Sequence, residues 1–207
     1  MAADAISSGA GQAEAPSPGA GHHEIVVVRH GETEWSANSR HTSRTDLPLT
    51  ERGRERARAL ADALARRRFS LVLCSPLRRA RETCELAGFG DVAELCDDLH
   101  EWDYGEYEGL TTPQIRERDP YWSLWRDGCP GGETPEQVGA RADRVLGRLR
   151  AAGGDALAFA HGHILRVVTA RWLGMEVAAG ARFALAAGSL GVLGHEHDTQ
   201  VLSRWNT

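Results

Sequence analysis

The chain contains no lysine. All 24 of the basic residues among its 207 are arginine, so every permanent positive charge is a planar fork suited to bidentate contact with carboxylate or phosphate. A GC-rich coding bias accounts for the usage more simply. Cysteine is also sparse: Cys74, Cys84, Cys96 and Cys129 show no CxxC spacing, which points to reduced thiols and a cytoplasmic protein. No apolar stretch approaches the roughly 20 residues of a spanning helix, and the N-terminus lacks the charged and apolar regions of a signal peptide. No membrane partner is expected. Basic excess is missing as well, because the net charge is -5, which gives no support to a nucleic-acid partner. A polyanionic ligand would have to be met locally.

What is present suits one sizeable core. Residues 1–22 are dominated by Ala, Gly, Ser and Pro and bury too little to offset ordering entropy, so they are expected to form a disordered tail before a single domain at 23–207. Ile25 to Val28 is a continuous β-branched run, the mark of a strand covered on both faces. Thr50 caps a helix with Ala57, Leu60, Ala61 and Leu64 at helical spacing. "FSLVLC", Phe69 to Cys74, is a second buried strand, and Ser75-Pro76 begins a helix with Arg78, Arg79 and Arg81 in its first turn. Trp102 to Gly109 reads as a loop. Thr134 caps a helix to Leu149, "DALAFA" to Ala160 is a third strand, and Ile164 to Leu173 is helical. Phe183 to Trp205 reads as shorter strands separated by Gly188, Gly191 and Gly194. Alternating strands and helices predict an α/β fold, a sandwich around a mostly parallel sheet.

Ligand sites in such sheets lie beyond the carboxyl ends of the strands. Three strands end in Arg29-His30-Gly31, Ser75-Pro76-Leu77-Arg78 and His161-Gly162, so two histidines and two arginines would converge there as a pocket for an anion such as a phosphoryl group. Any one of them alone would usually be a satisfied or solvated polar residue. Two HxH pairs, His161/His163 and His195/His197, raise a metal site as a competing reading, but His161 already belongs to the anion pocket. No metal or cofactor is expected.

The stretch "VVVRHGETEW" resembles the signature of the histidine phosphatase superfamily, in its phosphoglycerate-mutase-like branch 1. The resemblance continues in order through "TDLPLTERGRERA", "CSPLRRARET", "LHEWDYGEYEGL", "GGETPEQVGAR" and "AFAHGH". It implies a three-layer α/β/α sandwich in which His30 is the nucleophile and is transiently phosphorylated. Arg29, Arg78 and His161 would bind phosphoryl oxygens, Glu101 would be the general acid, and Thr42 and the Gly162 backbone could touch the phosphate. Attack on phosphorus needs a neutral imidazole, which neighbouring Arg29 and Arg78 would favour by disfavouring its protonated form. Glu101 would alternate between acid and base, implying an optimum below neutral pH. Asp103, Glu106 and Glu108 are taken as exposed loop acids, and Glu32 as a supporting residue.

The mutases of this branch carry an arginine after the acid and a lysine further along, whereas here Trp102 follows Glu101 and lysine is absent. A phosphatase acting on a small phosphorylated metabolite such as a sugar phosphate is therefore expected, with a catalytically silent binding module less so. "EWDYGEYEGLTTPQIRE" is similar to bacterial acid phosphatases, and "WSLWRDGC" with "AFAHGHILR" to sedoheptulose-1,7-bisphosphatases. In the latter, Arg166 and His197 would contact the distal part of the substrate. Ser36 and Ser43 stand where many members have asparagine and glycine, and Ser36 can still donate to an oxygen. A homodimer is the commonest assembly to expect.

Overall fold

The computed structural model describes residues 23–207, so the expected tail lies outside the described residues. Six strands form one sheet: β1 (Ile25–Arg29), β2 (Leu71–Cys74), β3 (Glu94–Leu95), β4 (Ala156–Ala160), β5 (Leu190–Glu196) and β6 (Thr199–Trp205), in the order β3-β2-β4-β1-β5-β6. The β3, β2, β4 and β1 strands run parallel, while β5 runs against both β1 and β6.

Alternation along the central strands sends side chains to two separate cores. Ile25, Val27, Leu73, Ala156 and Ala158 pack on one face with α6 (Pro135–Arg150) and α7 (Gly162–Trp172). Val26, Val28, Val72, Leu157 and Phe159 pack on the other with α2 (Glu51–Leu64) and α3 (Arg78–Leu86). Both faces are covered, which is why these strands read as unbroken apolar runs. The result is the expected three-layer sandwich.

Helix starts follow local chemistry. Thr50 accepts from Gly53 N at the head of α2, and Thr134 forms a capping box with Gln137 ahead of Pro135 at the head of α6. Three short helices, α1 (Glu34–Ala37), α4 (Thr112–Arg116) and α5 (Leu124–Asp127), lie between the larger elements.

Two expectations are corrected. The helix after β2 starts at Arg78 with Leu77 as its N-cap, so Ser75-Pro76 belongs to the preceding turn. Gly191 and Gly194 do not separate strands; they lie inside β5, because the Trp205 ring and the Ser203 hydroxyl of β6 occupy the space where their Cβ atoms would be. Among the described residues no helix is long and apolar enough to cross a membrane.

Candidate active site

Register assembles the site. In the parallel sheet Arg29 pairs with Ala160, and Cys74 with Phe159. The next residue of each strand, His30, Ser75 and His161, therefore emerges at the same edge, and the two imidazole centroids lie 5.1 Å apart.

His30 is 5% exposed. Its Nδ1 lies 2.7 Å from the Gly31 carbonyl; a carbonyl can only accept, so Nδ1 carries the proton and Nε2 keeps its lone pair. Burial pushes its pKa well below the ordinary histidine value, and the Arg79 and then the Arg29 guanidinium push in the same direction. His30 is a neutral imidazole with one nitrogen available for attack.

The second arginine of the site is Arg79, which corrects the expectation for Arg78. Arg78 is exposed on the first turn of α3, and its amide donates to Asp46 Oδ1. Arg79 is fully buried and donates to His161 Nδ1 (3.1 Å) and to the carbonyls of Thr42, Ser43 and Thr45. His161 is in consequence protonated on Nε2, which donates to Ser75 Oγ at 2.7 Å. Both nitrogens of the His161 ring are engaged within the protein, one by Arg79 and the other by Ser75.

Arg29, His30, Thr42, Glu101, Gly162 and Arg166 line one cavity of about 310 Å³, as does Ser36. Arg29 donates to the Leu185 carbonyl at 2.5 Å, and its buried Nε has no partner. The Ser36 hydroxyl is engaged with Thr33 in the capping box of α1. Glu101 is 5% exposed; its oxygens accept from the amides of Trp102, His163 and Ile164, so it sits across the N-terminus of α7. Arg166 donates to the Gly180 and Ala181 carbonyls and stacks on Trp125, 4.6 Å from the ring centroid.

His197 is not in the site. The β5 strand starts beside the site end of β1 and runs the other way, which carries the exposed turn at His197 to the opposite end of the sheet. Gly31 has a reason other than room for a ligand: a Cβ there would lie 2.4 Å from the Gly53 carbonyl of α2. Glu32 ties down that helix by accepting from Thr50 and Arg52. Asp103 is paired with Arg44, and Glu108 accepts from the amides of Ser43 and Thr45. Among the described residues no group of three His, Cys, Asp or Glu side chains is placed to hold a metal ion.

Sequence reasoning passed over His41 and Thr112 as site residues, took Ser75 only as part of a strand end, and met His163 only in a metal-binding pair. His41, Tyr104, His163 and Thr112 line the same cavity beyond His30.

An α/β sheet that brings a buried neutral histidine together with Arg29 and the fully buried Arg79 at its carboxyl edge is suited to an anion such as a phosphoryl group. The family model of the histidine phosphatase superfamily (branch 1) matches residues 25–207. An acid phosphatase of Mycobacterium tuberculosis is 43% identical over 189 residues, spanning 89% of this chain and 93% of that protein. Sedoheptulose 1,7-bisphosphatase of Saccharomyces cerevisiae is 35% identical over 184 residues, 73% of this chain and 68% of that protein. The solved structure of an open-reading-frame product from M. tuberculosis superposes with a TM-score of 0.85 at 41% identity, covering 89% of this chain and 97% of that one. The chain belongs to branch 1 of the histidine phosphatase superfamily and is a phosphatase.

Proposed function

We propose that the protein hydrolyses a small phosphorylated metabolite, a sugar phosphate or similar monoester, through a phosphohistidine on His30 and without a metal ion. The observation that carries this reading is the Nδ1–H to Gly31 bond, which leaves Nε2 of a neutral imidazole as nucleophile. In the first step Nε2 attacks phosphorus and the bond to the leaving oxygen breaks, while Glu101 supplies the proton that oxygen needs. In the second, water attacks phosphorus, Glu101 takes its proton, the P–N bond breaks and inorganic phosphate departs. Arg29, with an unpartnered Nε, and the Gly162 backbone at the N-terminus of α7 are the donors for the phosphoryl oxygens. Arg79 contributes its charge and holds the loop carrying Thr42.

Hydrolysis of p-nitrophenyl phosphate after exhaustive chelation tests the metal-independent reading; loss of activity that added metal restores would overturn it. The same assay carries a pH prediction. Because the His30 pKa lies well below 6.5, the nucleophile stays unprotonated into acid, and the acid limb of kcat/KM set by it falls well under pH 6.5. A limb at 6.5 would mean that His30 titrates like a solvated imidazole.

Glu101→Gln keeps the shape of the side chain and removes the proton. It is expected to lower turnover of an alkyl phosphate by about 10²- to 10⁴-fold, the usual weight of a general acid, and that of p-nitrophenyl phosphate less, since a phenolate departs without protonation. Equal losses on both would remove the leaving-group role.

A sugar bisphosphate is the second reading, favoured by Arg166 on the cavity wall and by the activity named for the yeast relative. Phosphoglycerate interconversion is disfavoured: Trp102, after the acid, is fully buried and donates its indole N–H to the Glu133 carbonyl, so it offers nothing to a substrate carboxylate.

A further inference from the structure

Beyond the phosphate end, the cavity wall changes from guanidinium groups to neutral ring nitrogens and hydroxyls. His41 lies against Tyr104 and Trp122, at 4.7 and 5.6 Å between centroids, with its Nε2 3.4 Å from the Thr112 hydroxyl. His163 Nδ1 is 2.6 Å from the Tyr104 hydroxyl. Burial holds the Tyr104 pKa well above its ordinary value, so that hydroxyl keeps its proton and can either donate to Nδ1 or accept from it. Nδ1 is engaged in both cases, and Nε2 is the ring nitrogen of His163 left for a ligand.

We propose that His41 and His163 are specificity-determining residues: two uncharged imidazoles, backed by Thr112 and Tyr104, that hydrogen-bond the hydroxyl groups of a polyhydroxylated leaving group. The inference rests on the phosphatase reading above and names what the far half of the cavity selects. With one nitrogen of each ring engaged by a protein hydroxyl, the other is left to a substrate hydroxyl, which can meet a donor or an acceptor. Burial lowers the His41 pKa to about 4. Burial, then the Arg166 charge, His41 and Arg29, hold that of His163 well below 6.5. Neither ring is a cation at mildly acid or neutral pH. Of the charged residues that line the cavity nearby, Arg166 donates to two carbonyls and lies over Trp125, and Arg40 is exposed beside the Trp35 ring.

The test compares kcat/KM for a hexose monophosphate with kcat/KM for p-nitrophenyl phosphate, whose leaving group has no free hydroxyl to offer. His41→Phe keeps an aromatic ring against Tyr104 and Trp122 and removes both nitrogens; His163→Phe does the same beside Trp125. Each is expected to lower the ratio of the two values by about 10-fold, the scale of one lost hydrogen bond with its partner left unpaired. His41→Gln, which restores a donor and an acceptor, recovers part of the ratio. A ratio unchanged in both Phe variants, or the two substrates declining in parallel, overturns the proposal and leaves the rings a packing role. If the wild type hydrolyses neither substrate, the phosphatase reading itself fails, a result separate from any change in ratio.

Discussion

Replacing His30 with alanine is expected to abolish turnover, by on the order of 10⁶-fold, the scale seen when a covalent nucleophile is deleted. The site has no substitute nucleophile placed as His30 is. His161 has both nitrogens engaged, by Arg79 and Ser75, and His163 Nδ1 is taken by Tyr104. The fold should survive, because His30 makes one side-chain hydrogen bond, to the adjacent carbonyl, and its removal leaves Arg79 and His161 bonded to each other. The measurement is a single-turnover reaction with labelled substrate, in which the wild type retains acid-labile label and His30→Ala retains none. Equal rates in the two proteins would remove the phosphohistidine from the mechanism, whatever happened to stability.

Much of this was legible because burial on both faces leaves a plain mark. β1 and β4 are runs of apolar residues, and their ends, Arg29-His30 and Ala160-His161, mark the carboxyl edge of the sheet where the cavity opens. Thr50 and Thr134 were readable as caps since capping is local chemistry. What could not be read depends on partners distant in the chain. β3 is two exposed residues that exist as a strand through pairing with β2. His197 required the direction of β5. The requirement for Gly31 comes from the α2 backbone that closes on it, at Gly53. The imidazole His41 lies in a loop whose carbonyl accepts from Gly109 N and whose amide donates to the Leu110 carbonyl, so nothing in its immediate sequence points toward the cavity.

The choice between two adjacent arginines was readable in principle. Residues four apart share a helix face, and the small residues Ala80, Thr83, Cys84 and Ala87 mark the inward face of α3. Arg79 stands four before Thr83 and belongs to that face, and the Thr83 hydroxyl donates to its carbonyl at 2.7 Å. Arg78 falls with Glu82 and Glu85 on the outer side. Arg79→Ala is therefore expected to cost about 10²- to 10³-fold in kcat, the weight of one preorganised group stabilising transition-state charge. It would also cost a few kcal/mol of stability, roughly 3, because buried acceptors at Thr42, Ser43 and His161 Nδ1 lose their donor. Arg79→Lys should not rescue it, since one ammonium cannot reproduce a fork bridging a ring nitrogen and three carbonyls. Loss of the Arg79 charge also removes a cause of the low His30 pKa; that pKa rises, and the acid limb of any residual activity moves to higher pH. Arg78→Ala should leave kcat/KM within about twofold and the melting temperature nearly unchanged, as at most exposed positions. Measured together, thermal unfolding and pH-rate profiles of the two variants decide which guanidinium serves the site, and a defect in Arg78→Ala equal to that in Arg79→Ala would put the assignment to Arg79 aside.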